Sequence, residues 1–214
     1  MSAKVLGPLF SHVGILPAVA AQDAAVLTAW ADAAVDAGVP ALELFLRGEG
    51  AESAVASAIS VLRASHPTLA IGAGSVYDSA TAQRMIDAGA QFLVSPIVDP
   101  QTGAVATDAG IDWLPGAFTP TRDPSRRAFG CGLREALPGS GVECPRIHSR
   151  HLAPSPTSKI VPTNVALDEI AALTAAGAAG VGVGPRLLDG ADPRSATAIA
   201  ARLRAARQAT GHPA

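Results

Sequence analysis

Short apolar runs alternate with alanine-rich stretches of helical spacing along most of the chain from residue 13 onward. The runs are apolar on both faces, which is typical of parallel strands that are covered by helices. The pattern predicts seven strands at intervals of roughly 20 to 25 residues. They are Val13–Ala18, Ala41–Leu46, Leu69–Ala73, Phe92–Ser95, Trp113–Pro115, Lys159–Pro162 and Val181–Gly184.

The stretches between these runs have the spacing of amphipathic helices. Several of them end in Ala-Gly, as at Gly38, Gly89 and Gly177, which is typical of helix C-caps. Strands that alternate with helices predict an α/β fold, a (β/α)8 TIM barrel with one strand unaccounted for between Thr121 and Ser158. The predicted helices are Asp23–Ala37, Ala51–Ser65, Asp78–Ala88, Ala166–Ala176 and Pro193–Ala209.

Length and composition favour one folded domain and argue against several other classes of protein. The 214 residues suit one domain, 1–214, and 49% hydrophobic against 16% charged residues excludes a largely disordered chain. A net charge of -2 argues against nucleic-acid binding. Two cysteines, no signal-like leader and no apolar run of about 18 residues predict a cytoplasmic protein without a membrane partner.

A glutamate and an arginine stand at a predicted strand that is otherwise apolar. In a parallel barrel the chemistry lies at the carboxyl ends of the strands, and Glu43 and Arg47 would point to the same, inner face. Two interpretations remain open: a functional pair, or a buried salt bridge that holds the barrel. The residues at other strand ends are Ser75, Pro96, Gly116, Thr163 and Gly184.

Five segments in order and at matching spacing carry a family resemblance over residues 8–121 and 159–210. Together they resemble the 2-dehydro-3-deoxy-phosphogluconate and 4-hydroxy-2-oxoglutarate aldolase family. The segments are Leu42–Arg47, Ile71–Val76, Asp87–Pro96, Leu114–Thr121 and Val161–Thr163. The resemblance implies a class I aldolase on a (β/α)8 barrel, usually a homotrimer without a cofactor, that cleaves a 2-keto-3-deoxy sugar acid phosphate to pyruvate and an aldehyde through a lysine Schiff base.

The resemblance also assigns roles to individual positions. Glu43 matches the general acid/base, and burial among Leu and Phe would raise the pKa of its carboxyl toward neutrality. Arg47 matches the residue that binds the pyruvate carboxylate. The match also implies five substrate-binding positions, Ser75, Pro96, Thr163, Gly182 and Gly184. The two glycines would lie in a turn, and that turn either binds the substrate phosphate or only connects a strand to its loop.

The nucleophilic lysine of the family motif Val-Lys-Leu-Phe-Pro-Ala is absent. Counting back from Pro162 by family spacing places it near Glu135, and a carboxylate cannot form an imine. The only lysines are Lys4 and Lys159, and the latter stands at the amino end of a predicted strand. The phosphate loop also differs from the family pattern. Asn164 and Val165 follow Pro-Thr where the family has Gly-Gly, and Pro185 stands where serine is common in the family.

Residues 122–158 differ in composition from the rest of the chain, with six of its 14 arginines and both cysteines. One interpretation is an insertion that binds an anion or a partner. Another is a shifted reading frame. The segment Leu133–Ser140 can be encoded by CTC CGT GAA GCT CTT CCC GGC TCC, which, read from the second nucleotide, gives Ser-Val-Lys-Leu-Phe-Pro-Ala. We therefore hypothesise a frameshift after about Thr121 that is restored shortly before Lys159.

Two other classes of function compete with the aldolase. In the first, the chain lacks the lysine and would be a catalytically inactive barrel of the same family, which binds a keto acid or another carboxylate without turnover. A metal-dependent lyase would use Glu43 with the four cysteine and histidine side chains of the arginine-rich segment, although their spacing is not a common structural-zinc pattern. Those four residues are Cys131, Cys144, His148 and His151. The leading prediction contains no metal.

Overall fold

The computed structural model describes residues 4–116, 133–136 and 159–212. Helices follow strands in the order that the sequence pattern predicts. The strands are β1 (Ile15–Ala20), β2 (Ala41–Phe45), β3 (Ala70–Gly74), β4 (Phe92–Ser95), β5 (Asp112–Pro115), β6 (Leu133–Ala136), β7 (Lys159–Pro162) and β8 (Val181–Val183). The α-helices of these ranges are α1 (Leu6–His12), α2 (Ala24–Asp36), α3 (Ala51–Ser65), α4 (Ser79–Asp87), α5 (Pro100–Asp108), α6 (Ile170–Ala175) and α7 (Ala196–Ala209), with 3-10 helices at Leu167–Glu169 and Pro185–Leu188.

The strands run parallel in two sheets. Six of them follow the order β5-β4-β3-β2-β1-β8, and β6 pairs with β7 in a separate sheet. Strand β6 lies beside β5, and β7 lies beside β8. The architecture is therefore a parallel-strand α/β fold whose two sheets adjoin at both edges.

The seven predicted strands are confirmed, each to within two residues at either end. The three glycines predicted as helix C-caps are also confirmed. Gly38, Gly89 and Gly177 have φ of 66°, 102° and 95°, a left-handed conformation that glycine adopts without steric cost. The alanine-rich pattern thus predicts both where the helices run and where they end.

Two α-helices and the bounds of one strand were not predicted. The expectation that the sixth strand region is disrupted or irregular is wrong for Leu133–Ala136, which forms β6; the rest of 122–158 lies outside the described residues. Helices Leu6–His12 and Pro100–Asp108 were missed because glycine and proline within them mask the helical spacing. A local signal was available for the second, since Asp99 accepts hydrogen bonds from two amides of its first turn and Pro100 follows it.

The last helix ties the carboxyl-terminal part of the chain to the second helix. Arg207 Nη1 donates to the carbonyl of Ala37 at 2.6 Å, and Arg204 Nη2 donates to the carbonyl of Asp36 at 3.0 Å. Guanidinium groups placed at a helix C-terminus satisfy carbonyls that have no partner within the helix. These bonds fasten α7 to α2, and both helices contact β1. No helix of the described ranges is long and apolar enough to cross a membrane.

Candidate functional site

A cavity of about 630 Å³ lies at the carboxyl ends of the strands. Its volume falls within the range of small-molecule binding pockets, about 300–1,000 Å³. All seven site residues predicted from the sequence line it. They are Glu43, Arg47, Ser75, Pro96, Thr163, Gly182 and Gly184.

Glu43 lies in the middle of β2 and is only 7% exposed. Its register partners are Ala18 on β1 and Gly72 on β3. The carboxylate lies over Gly74, where an added Cβ would come within 2.6 Å of the Glu43 Cδ. The missing side chain at Gly74 therefore creates the space that the Glu43 carboxylate occupies.

Arg47 follows β2 and brings a positive charge to the same cavity. Its guanidinium carbon lies 5.0 Å from the ring centroid of Phe45, a cation–π distance. Within the described ranges no carboxylate lies within 4.0 Å of the Arg47 guanidinium, so the salt bridge with Glu43 considered above does not form. A guanidinium that lines a pocket and has no acidic partner among the described residues is suited to bind an anionic ligand.

Two cavity residues have a backbone conformation that non-glycine residues rarely adopt. Ser75 has φ of 61° and Asn164 has φ of 55°. The left-handed region costs an L-residue about 1–2 kcal/mol, and asparagine tolerates it better than most residues. Such strain clusters at functional sites, where the surrounding structure must hold it in place.

Thr163 and Gly182 form a close contact between β7 and β8. A Cβ on Gly182 would lie 2.9 Å from the Thr163 Cγ2, so the threonine side chain packs against the bare glycine backbone. The amide of Val165 donates to the Gly182 carbonyl at 3.1 Å and fixes the loop after β7 to β8. These contacts place the Thr163 side chain at the cavity wall.

Both lysines of the chain belong to the amino ends of strands. Lys4 Nζ donates to the Ile111 carbonyl at 2.8 Å and lies 3.4 Å from Asp112, at the amino end of β5. Lys159 is the first residue of β7. Glu135, at the predicted Schiff-base position, is in β6 opposite Val161 in the register.

Several cavity residues escaped the sequence analysis. Phe45 reads as a core residue, and Tyr77, which is 59% exposed at the rim, carries no motif. Asn164 was noted only as a departure from the family loop, and Arg186 not at all. The predicted cysteine and histidine cluster lies outside the described residues, and within them no group of three or more potential ligands could hold a metal ion.

Two curated proteins that are similar to this chain are aldolases by name. The probable 2-dehydro-3-deoxy-6-phosphogalactonate aldolase of Rhizobium meliloti is 31% identical over 108 residues, which is 50% of this chain and 50% of that relative. The chain thus spans half the length of that protein. The 2-dehydro-3-deoxy-phosphogluconate aldolase of Treponema pallidum is 26% identical over 152 residues, covering 71% of this chain and 70% of the relative.

A solved structure and a family sequence model agree with these relatives. The 4-hydroxy-2-oxoglutarate/2-dehydro-3-deoxyphosphogluconate aldolase from TTHB1 superposes with a TM-score of 0.81 at 28% identity, covering 95% of this chain and 98% of that one. The sequence model described as KDPG and KHG aldolase matches residues 9–189, which is most of the chain. The chain belongs to the KDPG and KHG aldolase family.

Proposed function

We propose that the protein is a closed (β/α)8 barrel whose cavity binds a 2-keto acid. We further propose that the gene, read in the shifted frame between codons 122 and 158, encodes an aldolase. The reaction is cleavage of 2-dehydro-3-deoxy-6-phosphogluconate, or a related 2-keto acid, to pyruvate and an aldehyde. One observation carries the proposal: a buried carboxyl, Glu43, and an arginine, Arg47, that has no acidic partner among the described residues line the same cavity at the strand ends. Family membership supports the reaction class.

Arg47 supplies the binding energy and orientation for the keto acid. A guanidinium can bind both oxygens of a carboxylate, which fixes the plane of the ligand as well as its charge. The Phe45 ring, 5.0 Å from the guanidinium carbon, limits where that group can move. The hydroxyls of Ser75 and Thr163, on the same cavity wall, are donors for the keto oxygen or the carboxylate.

Glu43 is proposed to move protons. A lysine amine adds to the keto carbon and gives a carbinolamine. Glu43 then donates a proton to the carbinolamine hydroxyl, the hydroxyl leaves as water, and an imine remains between the keto carbon and the lysine nitrogen. The resulting carboxylate then accepts the proton of the substrate hydroxyl as the carbon–carbon bond breaks. Glu43 is less than 10% exposed and lies over Gly74, so its carboxyl is held at a fixed place in the cavity.

The lysine of this proposal comes from the shifted reading frame. In that frame the lysine codon falls at position 135, which is in β6 opposite Val161, two residues before Thr163. A lysine at position 135 would therefore stand on the strand beside the one that leads to Thr163, which supports the proposal. The printed residue there is Glu135.

The shifted frame also restores the chain's own pattern upstream of β6. With permitted codons, residues 122–133 read Glu-Ile-Leu-Ala-Ala-Val-Arg-Leu-Gly-Ala-Asp-Ser from the second nucleotide. This segment has helical spacing and places a glycine three residues before β6. Gly38 and Gly89 stand at the same distance before β2 and β4. Third codon positions are chosen freely in this translation, whereas first and second positions are almost entirely fixed.

The second candidate function is a keto-acid binder without turnover, and the glutamate at position 135 favours it for the chain as printed. A carboxylate cannot attack the keto carbon to form an imine, and neither Lys4 nor Lys159 is at the carboxyl end of a strand. The two candidates share the same cavity and differ in the segment between residues 122 and 158, which includes the sixth strand.

Borohydride trapping separates these two candidates. The gene is resynthesised in two forms, one encoding the printed chain and one with the frame shifted between codons 122 and 158. Each protein is incubated with pyruvate and sodium borohydride and then analysed by intact mass and peptide mapping. We expect a reduced pyruvate adduct on the β6 peptide of the shifted form only. No adduct on either form would contradict the aldolase, and an adduct on the printed chain would contradict the role given to position 135.

A further inference from the structure

Gln22 is bound to the main chain of Arg47 by a hydrogen bond between two loops. Its Nε2 donates to the Arg47 carbonyl oxygen. Gln22 is in the loop between β1 and α2, and Arg47 is in the loop between β2 and α3. The described lining of the cavity includes Arg47 and does not include Gln22. An effect of Gln22 on a ligand would therefore pass through Arg47.

The register of β1 with β2 explains why these two residues meet. Ala20 on β1 and Phe45 on β2 are the last register pair of the two parallel strands. Gln22 and Arg47 each stand two residues beyond that pair, where the two loops lead on to different helices. A glutamine side chain carries two N–H donors. Its amide therefore supplies one more bond between the two chains after the strands have ended.

Arg47 lies between a fixed strand end and a turn of left-handed glycines. The Leu46 amide donates to the Gly74 carbonyl of β3 at 2.9 Å, so the main chain is held up to that residue. After Arg47, Gly48 has φ of 90° and Gly50 has φ of 69°. Glycine has more backbone freedom than any other residue, so this turn does little to restrain the residue before it. The bond to the Arg47 carbonyl falls at this boundary.

The residue that follows Gln22 is anchored on two sides. Asp23 is the N-cap of α2, and its Oδ1 accepts from the amides of Ala25 at 2.9 Å and Val26 at 3.1 Å. Its Oδ2 accepts from Arg194 Nη2 at 2.7 Å, which ties the cap to the segment before α7. A donor beside an anchored cap keeps its place, as a restraint on a neighbouring loop requires.

We propose that Gln22 is a positioning residue for Arg47, and that its hydrogen bond to the Arg47 carbonyl holds the guanidinium over the Phe45 ring for binding of the keto-acid carboxylate. This inference rests on the proposed function. The guanidinium carbon lies 5.0 Å from the ring centroid. A two-point contact with a carboxylate tolerates little displacement, because both N–H···O bonds must form together. Restraint before binding raises affinity, since less freedom is lost when the ligand arrives.

NMR signals of the Arg47 side chain test the restraint in the free protein. The ring current of an aromatic side chain shifts the signals of nuclei held over its face, so Phe45 should shift the Arg47 signals upfield in the printed chain. Those signals are assigned by their loss in Arg47→Lys. Gln22→Met keeps the length and neutrality of the side chain and removes the N–H donors. We expect the Arg47 signals to move toward those of an unrestrained arginine in this variant.

Calorimetric titration with pyruvate tests the consequence for binding. We expect Gln22→Met to weaken pyruvate about fivefold, which is the scale of one lost neutral hydrogen bond. Gln22→Asn should have the same effect, because it keeps the polar amide but is one carbon shorter. The matched control is Gln83→Met, which removes another exposed glutamine donor, bound to Asp87 Oδ1 at 2.8 Å on α4. The control should change neither the pyruvate affinity nor the Arg47 signals.

Three results would overturn the inference. One is that the Arg47 signals stay unchanged in both Gln22 variants. Another is that the signals move while the pyruvate affinity stays the same. The third is that Gln83→Met weakens pyruvate as much as Gln22→Met does, because the loss would then be a general effect of removing a surface hydrogen bond.

The failure of the proposed function looks different. If the wild-type chain does not bind pyruvate, or if Arg47→Gln binds it as tightly as the wild type, the keto-acid site is wrong and the role of Gln22 in binding is wrong with it. The NMR signals are recorded without ligand. Their movement in Gln22→Met would in that case still support the hold of Gln22 on Arg47.

Discussion

The Glu43 carboxylate occupies the space that a side chain at Gly74 would fill. An added Cβ on Gly74 would come within 2.6 Å of Glu43 Cδ and 2.9 Å of its Cγ. The glycine is on β3 and the glutamate on β2, so that two neighbouring strands together define the place of one functional group. The position of the proposed acid/base therefore depends on a residue with no functional group of its own.

Gly74→Ala tests this dependence. Overpacking a well-filled interior costs about 1–3 kcal/mol, and the carboxylate must move to make room for the methyl group. We expect the turnover rate of the frame-shifted enzyme to fall at least about tenfold and the melting temperature to fall. Gly7→Ala is the control, because a Cβ there meets nothing within 4 Å. Unchanged turnover in Gly74→Ala would show that Glu43 has another place from which to act.

Glu43→Gln separates proton transfer from ligand binding. The amide keeps the size of the side chain but cannot exchange a proton at the working pH. We expect kcat of the frame-shifted enzyme to fall by about 10²–10⁴ while calorimetric affinity for pyruvate stays nearly the same. Glu52→Gln is the control, since that half-buried carboxylate pairs with Arg84. A normal kcat in Glu43→Gln would remove Glu43 from the mechanism.

Ser75 combines backbone strain with a hydroxyl in the cavity. At φ of 61°, glycine relieves the strain, whereas alanine removes the hydroxyl and keeps the strain. We expect Ser75→Gly to be about 1 kcal/mol more stable in urea than Ser75→Ala, net of the backbone entropy of glycine. Both variants should bind pyruvate more weakly than the wild type. A less stable Ser75→Gly would mean that the serine conformation is not strained.

Asp78 gives the structure a contribution to stability that depends on pH. It caps α4, and the hydrogen bond from the Thr81 amide lowers the pKa of its carboxyl below 3.8. Because the pKa is lower in the folded state, the contribution is fully present above 3.8 and is lost as the pH falls through the folded value. Urea unfolding at pH 6 and at pH 3 should therefore show a smaller loss for Asp78→Asn, which keeps an N-cap acceptor but does not titrate.

The control for this measurement lies on the same helix. Asp87 is the exposed last residue of α4, and Asp87→Asn should lose as much stability at low pH as the wild type. If Asp78→Asn and the wild type lose the same amount, the cap is not responsible for the acid sensitivity.

The sequence by itself determines the order and the approximate bounds of the main elements. Apolar runs and amphipathic spacing indicate which face of each strand or helix is buried. This signal is local, so it does not depend on which strand lies next to it. A glutamate in the apolar strand Ala41–Phe45 and an arginine after it are visible in the same way. The weak local signal of β6, with Arg134 and Glu135 among its four residues, explains why periodicity misses that strand.

Only the tertiary structure decided how the site is assembled. The space for Glu43 over Gly74 requires the register of β2 with β3, and the Arg186 bond to Asn164 joins residues 22 positions apart. The left-handed conformation of Ser75 is held by its surroundings rather than favoured by its residue type. Contacts between distant segments depend on how the sheets meet, and local periodicity carries no information about that.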